Sequence, residues 1–177
     1  MATNPGRGRR ARFSFRAIIR GWPWYYETSK IYPNETLLRT VPNSVGFYTK
    51  SMGNWSINPN AFYPSPDDVD GISLFREDFV TKERLASVST HPNGVRVARI
   101  SAQDCVGLGL SPEPSPDPGV ERGHCVIPEM PFVKSNAQNK ARVRQIKDFA
   151  QKLSQIASKN EIYAPPGLPD PVVRKKS

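Results

Sequence analysis

Apolar residues recur with a period of two in several short runs and with a helical period in one long run. TLLRTVP (36–42), GISLFRE (71–77) and GHCVIPEM (123–130) read as strands, and GVRVARISA (94–102), entered through the turn HPNG, gives the clearest alternation. In that last run Val95, Val97 and Arg99 share one face and Arg96, Ala98 and Ile100 the other, an imperfect alternation that fits burial on both sides. FSFRAIIRGW (13–22) alternates well enough for a further strand. From Ser135 the period switches: Val143, Ile146, Phe149, Ala150, Leu153, Ile156 and Ala157 fall on one helical face, with Ser135 or Asn136 as cap. A short helix is expected over 81–89 with Thr81 as its N-cap, and SAQDCVGLG suggests a helical turn closed by Gly107 or Gly109. Together these elements predict an α+β domain, a curved and mainly antiparallel sheet backed by a C-terminal amphipathic helix, with flexible basic ends.

Eighteen prolines among 177 residues change that picture by setting the boundaries. Residues 1–12 read as a basic flexible arm, 13–160 as a single α+β domain and 161–177 as a proline-rich basic tail. Residues 43–70 form a loop-rich connection that can hold short strands such as GFYTK. The run at 111–119, with Pro112, Pro114, Pro116 and Pro118 before Gly119, excludes a helix or a central strand and predicts an exposed polyproline-like loop.

Charge is sorted by position. Residues 1–20 carry six arginines (Arg7, Arg9, Arg10, Arg12, Arg16 and Arg20) and no acid. Residues 134–177 carry ten bases against three acids, whereas 21–133 carry nine bases against thirteen acids. A near-neutral body between cationic ends points to a polyanion or an acidic partner. Lys140, Arg144, Lys147 and Lys152 lie broadly opposite the apolar stripe of the long helix, and Arg174, Lys175 and Lys176 close the chain. Three cationic segments of this kind can neutralise several phosphates of an RNA or DNA backbone. Near the first segment, Trp22, Trp24, Tyr25 and Tyr26 read either as core or lid, or as a stacking platform for bases. No zinc finger, RNP-type strand or helix-turn-helix pattern accompanies them.

The chain offers little for covalent chemistry. It contains no G-x-S-x-G, P-loop or H-E-x-x-H, and only His91 and His124, so no metal is expected. Asp67, Asp68 and Asp70 read as a solvated turn, with a divalent cation as the other reading. Cys105 and Cys125 follow Asp104 and His124, but strand neighbours point to opposite faces, so His124 and Cys125 are expected as no dyad and the thiols as buried. No run approaches a membrane span and no apolar stretch follows the first arginines. The arginine-rich start also fits an organellar transit peptide, though a flexible arm is the plainer reading. A cytoplasmic protein with free thiols is the expectation.

LLRTVP, NAFYPSPDDVDGISLFRE, GVRVARISAQDCVGLGL and GHCVIPEM together resemble a pattern in small uncharacterised bacterial proteins. More distantly, their order is similar to the ADP-ribosyltransferase-like fold, which includes RNA 2′-phosphotransferases. That resemblance implies NAD as cofactor, Arg39 holding a phosphate, Ser73 positioning a ribose and Glu129 stabilising an oxocarbenium-like centre, with His124 as substitute for Glu129. The chain departs from the pattern in having no Ser-Thr-Ser run and no Glu-x-Glu, and Pro128 precedes Glu129. The leading expectation is a non-enzymatic accessory protein, without cofactor, that binds nucleic acid or a nucleoprotein complex. An NAD-using transferase or toxin is the second, and a subunit ordered only against a protein partner the third.

Overall fold

A computed structural model describes residues 29–51, 54–117 and 119–171. The strand foreseen at 13–22, the aromatic cluster at 22–26 and the arginines of 1–20 lie outside the described residues, as do Arg174, Lys175 and Lys176. The described elements are β1 (Thr36–Pro42), β2 (Tyr48–Ser51), β3 (Asn54–Ile57), β4 (Ile72–Arg76), α1 (Lys82–Val88), β5 (Val95–Ser101), α2 (Ala102–Gly107), β6 (Glu113–Pro114), β7 (His124–Ile127) and α3 (Lys140–Lys159). They form an α+β fold. Five strands make an antiparallel sheet in the order β5-β1-β4-β7-β6, and β2 with β3 makes a separate hairpin.

Pairing places β1 between β5 and β4, in register with β5 from Thr36 opposite Ser101 to Pro42 opposite Val95. Alternation sends Leu37 and Val41 to one face, where they pack with Leu74, Ile100, Ile127 and the α3 residues Ile146 and Leu153. Leu38 and Val97 face the other way and pack with Val80 and Leu85, the latter on α1. The sheet is thus covered on both faces, which is why β5 buries Val95, Val97, Ala98 and Ile100 alike. The backing of α3 foreseen from the sequence is one of two covers, and α1 supplies the second.

Local chemistry sets most of the boundaries. Thr81 Oγ1 accepts from the Arg84 N–H at 3.2 Å and starts α1. Ser101 and Asp104 form a reciprocal capping box that starts α2 as soon as β5 ends. The long helix begins later than its periodicity suggests: Asn136 Oδ1 accepts from Asn139 N–H at 2.9 Å, which closes a turn, and α3 starts at Lys140. The prolines at 112–116 admit only the two-residue edge strand β6. At the start of β4, Gly71 has φ +127°, and a Cβ there would lie 2.2 Å from the Ile127 carbonyl oxygen, so only glycine lets β4 run this close to β7.

Two long-range ties close the molecule. Arg76, 4% exposed, donates to Glu35 from Nε at 2.6 Å and from Nη2 at 3.0 Å, and Nη1 donates to the Ser29 carbonyl at 3.1 Å. Glu35 Oε1 also accepts from Tyr32 N–H at 2.7 Å. At the opposite edge, Tyr163 exchanges two backbone hydrogen bonds with Val97, at 2.9 and 3.0 Å, and Asn43 Nδ2 donates to the Pro169 carbonyl at 2.9 Å. Residues 161–171 therefore run along the outer edge of β5 and occupy donors and acceptors that would otherwise be open to another chain. The buried pair gives a direct stability test: Glu35→Gln strands the Arg76 charge in the core and is expected to cost about 3–5 kcal/mol in denaturant unfolding.

Candidate nucleic-acid interface

Most cations of the folded body are engaged by the fold. Arg39, Arg76, Lys82, Arg84, Arg96 and Arg99 each stand within 4.0 Å of a carboxylate oxygen. Three of these pairs are short, Arg76–Glu35 and Arg99–Glu77 at 2.6 Å and Arg84–Glu121 at 2.8 Å. Arg122 lies over the Phe79 ring, and Lys50 over Trp55.

Helix α3 is different. It holds six bases and one acid, Asp148. Lys140, Arg144, Lys147, Lys152 and Lys159 are all exposed and, among the described residues, none is in an ion pair. The sixth base, Arg142, is structural: Nη2 donates to the Glu129 carbonyl and Nη1 to Gln145 Oε1, both at 2.8 Å. Val143, Ile146, Ala150, Leu153 and Ala157 hold the opposite stripe in the core, so the basic face cannot rotate inward. Lys140, Arg144 and Lys147 follow i, i+4, i+7 spacing and form one row about 10 Å long at 1.5 Å rise per residue. Lys152 and Lys159 form a second row on the neighbouring surface. These rows are the four helix residues foreseen from the sequence, with Lys159 added.

The residues of the transferase resemblance do not form one constellation. Arg39 shares the α3 face of the sheet with Leu37 and Val41. Its Nε donates to the Ala61 carbonyl at 3.2 Å and its Nη1 to the Ser73 carbonyl at 2.7 Å. Burial pulls its pKa below the ordinary arginine value, opposed by the Asp68 carboxylate 4.0 Å away. Ser73 sits next to it, yet its side chain belongs to the opposite face with Phe75, because Leu38 and not Arg39 pairs with Phe75. Glu129 lies in the turn after β7, which ends before Pro128, and accepts from Ser111 N–H at 3.1 Å. His124 packs its ring 5.4 Å from Phe75 and donates Nδ1–H to the Ser115 carbonyl at 2.7 Å. A phosphate-holding role for Arg39 would require it to release two buried carbonyls.

The aspartate turn is likewise more than a solvated one. Asp68 is 8% exposed and accepts from Ser65 N–H and Oγ–H at 2.7 and 2.8 Å. Among the described residues, no group of three acids, histidines or cysteines stands together as a metal site would need. A cleft of about 600 Å³ does open on the α1 side, lined by Thr40, Phe75, Val88, Thr90, Val120 and Glu121. Among the described residues that line it, the one carboxylate, Glu121, is tied to Arg84. No described helix is long and apolar enough to cross a membrane. Comparison of the chain with protein-family models, with curated proteins and with solved structures finds no match.

Both cysteines are free and fully buried in the main core, with Cys125 facing away from its neighbour His124. Burial, reinforced for Cys105 by the negative charge of Asp104, pushes each thiol up to about 12. Both are therefore expected to resist a thiol-reactive dye in the native protein and to react once it is unfolded. Unfolded thiols lose their protons first, so the denaturation midpoint is expected to fall as pH rises past about 9 and to keep falling to about 12.

Proposed function

We propose that this protein binds nucleic acid through the exposed basic face of α3, as a non-enzymatic accessory protein of a nucleic acid or nucleoprotein complex. One observation carries the reading: six cations of the body pair with carboxylates, while α3 gathers five exposed cations on one element, none of them in an ion pair among the described residues. Keeping like charges together on a helix surface costs a little stability, and an external anion relieves that cost. The arginines at 7, 9, 10, 12, 16 and 20 and the closing Arg174, Lys175 and Lys176 extend the same positive field in this reading. Binding needs no cofactor. Two free thiols accord with a reducing, cytoplasmic setting.

Phosphate contact of this kind has a distinctive salt signature. RNA and DNA affinities measured across a salt series are expected to fall log-linearly. Arg144→Gln with Lys147→Gln is expected to lower the slope by about two, whereas Arg84→Gln in the paired body leaves it unchanged. Salt-insensitive binding, or no binding to either polymer, contradicts the proposal.

A further inference from the structure

Next to the basic row lies a cleft of about 370 Å³ between α3 and the 3-10 turn Pro59–Ala61. Its α3 wall is Lys147 and Gln151, one helical turn apart, with Ala150 between them at the floor. The other wall is Pro59, Asn60 and the half-buried ring of Tyr63. Resting on the reading of α3 as a phosphate-binding face, we propose that this cleft receives an unstacked base of a single-stranded nucleic acid.

Each lining group supplies one part of what such a base requires. Lys147 is exposed and unpaired among the described residues, and it stands where the row of cations reaches the cleft. Tyr63 offers an aromatic ring, the surface on which bases of any identity stack. Asn60 Nδ2 donates to the Gly46 carbonyl at 3.1 Å, which leaves its Oδ1 pointing to no protein donor among the described residues. The Gln151 side-chain amide likewise has no hydrogen-bond partner among the described residues, and it is exposed. A cation, a ring and two amides around a volume in the lower part of the small-ligand range, roughly 300–1,000 Å³, suit a nucleotide.

The cleft is also built rather than incidental. Asn58 Oδ1 accepts from Asn60 N–H at 3.0 Å and fixes the 3-10 turn, while Asn58 N–H donates to the Phe47 carbonyl at 2.8 Å. Ile57 N–H donates to Ser158 Oγ at 2.9 Å, so the strand leading into the turn is bonded to α3 itself. The two walls are therefore held in register before any ligand arrives. A duplex keeps its base faces stacked and cannot present one to Tyr63, so the cleft selects single strands over duplexes.

Binding of the full chain is measured to a short oligouridylate, a short oligothymidylate, an abasic strand and a duplex, all matched in phosphate count and salt. The based single strands are expected to bind about tenfold more tightly than the abasic strand and the duplex. Tyr63→Leu and, separately, Gln151→Ala are expected to shrink that preference while leaving duplex binding unchanged. Gln151 is exposed, so its variant reads the cleft without touching the core. Equal binding to all four probes overturns the base-binding cleft and leaves the phosphate-binding face standing. A single-strand preference that survives both substitutions also overturns the cleft, and binding to none of the probes overturns both.

Discussion

The fold depends on a buried, bidentate ion pair between Glu35 and Arg76. Arg76 ends β4, the central strand, on the core-facing side, and Glu35 precedes its neighbour β1. With both side chains under a tenth exposed, neither charge has water to fall back on, so each requires the other. The pair anchors the approach to β1 through Ser29 and Tyr32, and the Arg76 guanidinium covers the Phe79 ring at 4.7 Å. β1 then positions both faces of the sheet, since it pairs with β5 and β4 and carries Leu37 into one core and Leu38 into the other.

The same economy explains the division of charge. Arginines inside the body are structural connectors: Arg39 ties the 43–70 excursion to β4, Arg96 reaches Asn43 and the tail, and Arg99 meets Glu77. Glu35, Asp68, Glu77 and Glu121 are taken up in return. Lys140, Arg144, Lys147, Lys152 and Lys159 of α3 have no such duty among the described residues, because α3 is held by its apolar stripe and by Ser158 and Arg142. A positive face not needed for folding is free to meet an external anion.

Much of the architecture was legible in the sequence. Period-two runs located β1, β4, β5 and β7, Thr81 located α1, and the apolar stripe gave α3 and its outward cations. What escaped was non-local. Nothing in the sequence pairs Glu35 with Arg76 across 41 positions, or turns Asp68 inward onto Ser65. The tail looked like a separate proline-rich extension because strand propensity gives no hint that Tyr163 bridges to Val97. Of the site, the basic row was readable from spacing alone. The cleft beside it was not, since Tyr63 and Asn60 meet Lys147 and Gln151 only after the chain has folded.

The central claim is that α3 meets nucleic acid with its lysines, and amine-reactive footprinting of the full chain, with and without a single-stranded oligonucleotide, tests it most directly. Lys140, Lys147 and Lys152 are expected to be reactive in the free protein and protected in the complex, while the half-buried Lys82, paired with Glu161, reacts alike in both. Unchanged labelling of the three helix lysines at saturating oligonucleotide would contradict the account.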